Sequence, residues 1–154
     1  MRYWLLKTEP STFAVEHLER APRRTTSWDG VRNFQARNML RDEMQRGDQA
    51  FLYYSSCEVP GIAAIVSITK EGYPDPTAFD RNDDHFDRDS KRDAPRWYAV
   101  DVRLQRRLSR IITLQELRAH ATKELRGMVL LRPGNRLSVS PVEAAHWKFI
   151  LALE

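Results

Sequence analysis

The apolar residues of this chain fall in runs of strand length that proline or glycine cuts short. Tyr3-Trp4-Leu5-Leu6 closes at Glu9-Pro10, and the runs Gln49 to Ser55 and Ile62 to Thr69 are separated by Glu58-Val59-Pro60-Gly61. A run apolar at consecutive positions marks a buried strand, and proline ends it because it cannot donate to the ladder and biases the residue before it toward extended geometry. A fourth strand is expected over Arg96 to Leu108. There Trp97, Ala99, Asp101 and Arg103 share one face, and Tyr98, Val100, Val102 and Leu104 share the other, more apolar one. None of these runs approaches the roughly 18 apolar residues of a membrane span. Charge also interrupts Met1 to Lys7 too soon for a signal peptide.

Between the strands there is room only for short helices. Ser11 can cap a helix running to about Arg20. Val31, Phe34, Met39, Leu40 and Met44 trace an approximate helical stripe that Gly47-Asp48 ends. Thr113-Leu114-Gln115-Glu116 has the form of a capping box opening a helix to about His120. Pro133-Gly134 turns into a short strand at Leu137 to Val139. Ser140-Pro141-Val142-Glu143 repeats the box, with proline at the first helical position, ahead of a C-terminal helix. Thr25 to Trp28 is β-prone and Asp29-Gly30 is a turn signal. Strands scattered among short helices, without βαβ alternation, predict an α+β fold with a strongly bent sheet or barrel. At 154 residues and 42% hydrophobic the chain has the size and core of one domain, spanning residues 1–154.

Several function classes drop out. The only cysteine is Cys57, so no disulfide framework or cysteine-rich zinc site exists, and a chain without disulfides fits the reducing cytoplasm. There is no Gly-rich phosphate loop, GxSxG elbow or HExxH, and His17, His85, His120 and His146 read as surface or capping residues. The stretch from Tyr73 to Pro95 carries Asp80, Asp83, Asp84, Asp87, Asp89 and Asp93, but it lacks the central glycine and closing glutamate of a calcium loop. Its interleaved Arg81, Arg88, Lys91 and Arg92 predict a self-paired loop, so neither a metal nor a cofactor is expected. Of 25 basic residues 20 are arginine, against 21 acidic ones; the bias points mildly to anionic partners.

The segment Trp28-Asp29-Gly30-Val31-Arg32-Asn33 sets a large indole at a strand end, beside a turn and the first turn of a helix. An indole among donors could stack a flat heterocycle while polar neighbours read its edge. The same spacing also fits Trp28 filling the core and Arg32 pairing with Asp29. Arg32, Arg37 and Arg41 along one helix are either phosphate contacts or a solvated face.

Several motifs, in one order, carry a resemblance: Tyr3 to Pro10, Trp28 to Asn38, Phe51-Leu52-Tyr53-Tyr54-Ser55, Pro60-Gly61-Ile62, Tyr73 to Asp80, Arg96 to Val102, and Arg136-Leu137-Ser138-Val139. Together they resemble the EVE-domain family over nearly the whole chain. That resemblance implies a PUA-like curved β-barrel with flanking short helices, similar to the YTH readers of methylated adenine. It also implies binding of a modified base, in DNA or RNA, flipped into an aromatic pocket. The leading reading is non-catalytic, and a monomer is favoured, with the oligomeric state left open. Trp28 matches the tryptophan that walls the pocket. Lys7, Thr8 and Glu9 match the end of the first strand that approaches the base edge, with Asp29 and Asn33 as polar neighbours. Tyr54 and Ser55 match an aromatic-His-Ser stretch, with Tyr where many members carry His. Trp97 lies in a matching motif as either a pocket or a structural residue; Trp4 and Trp147 are expected in the core. Two other readings remain: a small PUA-like amidohydrolase with Lys7 and Glu9 as base and acid, and an adaptor that docks a protein on the Asp-rich loop.

Overall fold

The computed structural model describes residues 1–154. Six strands form one sheet in the order β2-β5-β4-β3-β1-β6. They are β1 (Tyr3–Thr8), β2 (Thr25–Trp28), β3 (Gln49–Tyr54), β4 (Gly61–Pro74), β5 (Tyr98–Thr113) and β6 (Val139–Val142). β1 runs parallel to β3, and every other pair is antiparallel. Four short helices accompany the sheet: α1 (Val15–Arg20), α2 (Phe34–Asn38), α3 (Leu114–Arg118) and α4 (Ala144–Leu153). The α+β class is therefore as expected. The two end strands, β2 and β6, do not pair with each other, so the sheet is open where a barrel was expected. Bending comes instead from repeated register shifts along β4 and β5, since each bulge kinks a strand and increases its twist.

Both faces of the central strands are buried, which is why those strands read as unbroken apolar runs. Trp4, Leu6, Leu52, Val66, Val100 and Trp28 belong to one core. Leu5, Phe51, Ile62, Ile112, Trp147 and Ile150 belong to the other. Trp4 and Trp147 are core residues, as expected. In the first core, the Trp4 indole N–H donates to the buried Asp48 (Nε1–Oδ2 3.0 Å). In the second, Trp147 stacks on Phe51 at 3.9 Å between ring centroids. No helix is long and apolar enough to cross a membrane.

Three helix starts differ from expectation. Ser11 lies in a turn, and α1 begins only at Val15. There the backbone N–H of Ala14 donates to His17 Nδ1 at 2.9 Å, so a histidine closes the helix end. The helix expected from Val31 to Met44 is broken up. Asn33 caps α2 by accepting from the Ala36 N–H at 2.9 Å, and a wide π-type turn replaces the helix over Met39–Glu43. Val31, Met39, Leu40 and Met44 are buried as expected, but Phe34 is 52% exposed. Finally, Ser140 and Pro141 cap no helix: they lie in β6, opposite Leu5 and Trp4. A proline fits there because β6 is an edge strand with no partner on its outer side.

Candidate functional site

A cavity of about 410 Å3 opens where the ends of β1 and β2 meet the loop before β6. Lys7 and Thr8, the last residues of β1, form one wall, with Thr12 and Phe13 of the following turn beside them. Thr26, Ser27 and Trp28 close β2 on the other side, and the turn Asp29 to Arg32 continues that wall. Ser138 and His85 complete the lining. Trp28 is 9% exposed, so its ring is mostly core and partly cavity wall. Phe13 meets it edge-on at 5.9 Å and 85°, an arrangement that holds an indole in one orientation.

A buried carboxylate builds the turn after Trp28. Asp75 is completely buried, and its Oδ2 accepts from the Gly30 N–H (2.8 Å) and from Arg32 Nη1 (3.0 Å). Its Oδ1 accepts from the Thr77 N–H at 2.8 Å. Burial alone would push this carboxyl up, but the donors of Thr77, Gly30 and Arg32 outweigh it and hold the group below the usual carboxylate range. Gly30 has φ +77°, and a Cβ there would come within 2.7 Å of the His85 ring. Only glycine suits that position.

The titratable groups of the lining are perturbed in opposite senses. Burial lowers the Lys7 ammonium from its ordinary value, the expected direction for a cation losing water. Loss of water on its inner side, then the nearby Asp75 carboxylate, raise Asp29. Behind Ser27, the Tyr73 hydroxyl lies 2.6 Å from Asp101 Oδ1 and 2.7 Å from Ser27 Oγ. Burial and then the hydrogen bond to Asp101 push Tyr73 up to about 12.

A model of the EVE domain matches residues 2–153. The chain belongs to the EVE-domain family. It is 42% identical to human thymocyte nuclear protein 1, over 99% of this chain and 73% of that protein. The structure of human THYN1 protein in complex with 5-methylcytosine-containing DNA superimposes on this EVE domain with a TM-score of 0.94 at 42% identity, covering 99% of this chain and 97% of that one. A Pseudomonas putida protein of 44% identity superimposes with a TM-score of 0.92, covering 98% of each chain.

The residues nominated from sequence divide into two groups. Lys7, Thr8, Trp28, Asp29 and Arg32 of this EVE domain come together around the cavity. The others lie outside its lining. Glu9 is exposed, so it does not join Lys7 in the acid–base pair that the amidohydrolase reading needs. Asn33 is occupied in capping α2. The Tyr54 hydroxyl accepts from the Val15 N–H at 3.0 Å, and the Ser55 N–H donates to the Thr8 carbonyl at 2.9 Å. Tyr54 thus ties β3 to the start of α1, and Ser55 ties the chain after β3 to the cavity residue Thr8. Trp97 is 7% exposed and takes the structural alternative: its indole donates to Asp87 Oδ2 at 2.7 Å, and Phe34 stacks on it at 4.7 Å.

The three arginines expected to hold phosphates are also unlike one another. Arg32 is consumed within the fold, by Asp75, by Thr77 Oγ1 (3.1 Å) and by the His85 carbonyl (2.6 Å). Arg41 makes a two-pronged pair with Asp42, at 2.7 and 2.8 Å. Arg37 donates to the Arg96 carbonyl (2.6 Å) and to Asn38, lies over the Phe34 ring and meets no carboxylate. Phe13, Ser27, His85 and Ser138 line the cavity without having been singled out from sequence, as does the supporting Asp75. Only the proline-flanked Asp75-Pro76-Thr77, a capped-turn pattern, carried a local signal. In the Asp-rich loop, Asp80, Asp83 and Asp87 each accept a backbone N–H two residues on, at 2.8 to 3.0 Å, so the carboxylates shape the loop.

Proposed function

We propose that this EVE domain is a non-catalytic reader of a modified nucleobase, in DNA or RNA, which takes the flipped base into the cavity against Trp28. The observation that carries this reading is a largely buried indole, fixed by Phe13, that forms part of the wall of a cavity whose volume falls in the roughly 300–1,000 Å3 range of small-ligand sites. The 5-methylcytosine named for the human THYN1 complex makes that base the first ligand to try. Flipping costs a few kcal/mol, and stacking on an aromatic ring recovers roughly 1–3 kcal/mol per base. A methyl group in a fitted apolar pocket adds about 1–3 kcal/mol, enough for a preference of ten- to a hundredfold.

The test is titration of labelled oligonucleotides carrying one 5-methylcytosine or one cytosine, as DNA and as RNA, with the intact protein. The methylated oligonucleotide should bind at least about tenfold tighter, and Trp28→Ala should remove most of that affinity. Because Trp28 is also core, Trp28→Phe, which keeps a smaller ring, and Lys7→Ala at the cavity wall are titrated alongside, each checked for folding by circular dichroism. Equal and weak affinity for every oligonucleotide, unmoved by these variants, overturns the reading.

A further inference from the structure

Phe34 is an aromatic residue that the core does not use. Its spacing from Val31, Leu40 and Met44 fits a buried helical stripe, yet it is 52% exposed at the first position of α2. The ring is nevertheless held in one place. Trp97 stacks on it at 4.7 Å, with 23° between the planes. Trp97 is fixed by its bond to Asp87, and the Arg32 guanidinium lies 5.3 Å from its ring centroid. Arg32 lines the cavity and is pinned by the buried Asp75, so this stack ties Phe34 to the cavity wall. Arg37 covers the remainder of the Phe34 ring only in part, at 4.9 Å from the centroid. Its guanidinium donates to the Arg96 carbonyl and to Asn38, and meets no carboxylate.

An exposed ring beside a cation without a counter-ion suits a ligand that is both flat and anionic. A nucleotide is such a ligand, with a π-face on its base and a charge on its phosphate. An apolar side chain of a protein partner would use the ring and leave the cation unpaired. We infer that Phe34 is a second stacking seat, which takes the base next to the one flipped into the cavity, while Arg37 meets the phosphate of that neighbour. The inference rests on the base-reading function proposed above and adds a neighbouring nucleotide to it. A base that flips out of the stack leaves its neighbour with one bare face, and Phe34 offers a ring to cover it. Stacking of a base on an aromatic ring is worth more than an exposed cation–π contact, so the base displaces the Arg37 guanidinium from the ring at a net gain. The seat accepts any base, since all four have a π-face.

The experiment titrates single-stranded oligonucleotides carrying one 5-methylcytosine, whose 5′ or 3′ neighbour is either an ordinary nucleotide or an abasic one. The free nucleoside of 5-methylcytosine serves as a ligand with no neighbour. Wild-type protein should lose about tenfold in affinity when the neighbour on one side is abasic. Phe34→Ala and Phe34→Leu should each lose about tenfold on the intact oligonucleotide and little more on the abasic one, because ring and base form one interaction. Both should bind the nucleoside as the wild type does, with circular dichroism unchanged, and Phe34→Trp should keep the affinity for the intact oligonucleotide. Several results overturn the inference: no loss at either abasic position, an affinity that no Phe34 variant moves, or losses from ring and base that simply add. A Phe34→Ala defect as large for the nucleoside as for the oligonucleotide also overturns it, because the ring then acts only by supporting the cavity wall. In each of these cases nucleoside binding that depends on Trp28 keeps the reader function standing. Nucleoside binding that Trp28→Phe leaves untouched overturns the reader function, and the inference with it.

Discussion

Taking away the Asp75 carboxylate would strand the Gly30 N–H and the Arg32 guanidinium in a wall from which water is largely excluded. Breaking one side of a buried pair costs about 3–5 kcal/mol because the surviving charge has no partner. Asp75→Ala is therefore expected to lower unfolding free energy by that much in urea titrations, and to weaken nucleic-acid binding beyond the loss of folded protein. Asp48 gives the corresponding pH dependence. Burial raises it, but the N–H groups of Arg2, Trp4 and Gln45 outweigh burial and leave its carboxyl below the ordinary value. A folded-state value below the unfolded one means that the stabilisation is complete above the unfolded value and is lost as pH falls through the folded one. Wild-type stability should thus drop as pH is lowered from neutral through the ordinary aspartate value of about 4 and below, and Asp48→Asn should start less stable and drop less. Sequence reading found Trp28, Asp29 and Lys7 because indole, turn and strand end are adjacent or motif-bearing. It could not assign Asp75, whose partners Gly30 and Arg32 lie 45 and 43 positions away. Nor does anything near His85 in sequence tell that its ring closes over Gly30.

At the level of elements, strands were more legible than helices, and burial is the reason. β1 and β3 are apolar at consecutive positions because the two cores claim opposite faces. The short helices are defined by caps, and caps compete with other uses of the same residues. Thr113 caps α3 as its pattern suggests, accepting from the Glu116 N–H at 3.1 Å. Ser140-Pro141-Val142-Glu143 has the same form, yet pairing with β1 claims it as an edge strand. Asn33 wins the start of α2 from Val31, which goes into the core instead. Because α2 has only five residues, its N-terminal cap is a large share of what holds it. Asn33→Ala is expected to cost about 1 kcal/mol in chemical denaturation, while Asn33→Asp, which keeps an acceptor, should cost much less. Phe34, the first residue of α2, is one layer of a stack that runs from Arg32 through Trp97 and Phe34 to Arg37, with spacings of 5.3, 4.7 and 4.9 Å. The stack leaves an apolar ring exposed beside the cavity wall.

For the whole molecule, charge is the property that the fold redistributes most. The net charge is only +4, and Arg2, Arg32, Arg41, Arg96, Arg106, Arg107 and Arg110 lie within salt-bridge distance of carboxylates. Those arginines serve the fold before they serve a partner: Arg106, for example, grips Glu154 at 2.8 Å and helps hold that carboxyl down to about 2. The arginine excess visible in the sequence therefore overstates the charge free to meet phosphate. On α2 and the turn that follows it, the difference can be measured between near neighbours. Each phosphate neutralised on a duplex adds about 0.9 to the slope of log affinity against log salt. Arg37 meets no carboxylate, its bonds being to neutral acceptors, whereas Arg41 already spends its fork on Asp42. Arg37→Ala should therefore flatten the salt slope by about one contact and weaken binding to methylated and unmethylated duplexes alike, because a phosphate contact carries no sequence information. Arg41→Ala should leave the slope unchanged. Binding of the free modified nucleoside has no phosphate to lose, so it should be insensitive to salt and to both substitutions while remaining dependent on Trp28. Equal slope changes for the two arginines would show that the Arg41–Asp42 pair opens on the nucleic acid, and that the ion pairs of the free protein do not decide which cations reach the backbone.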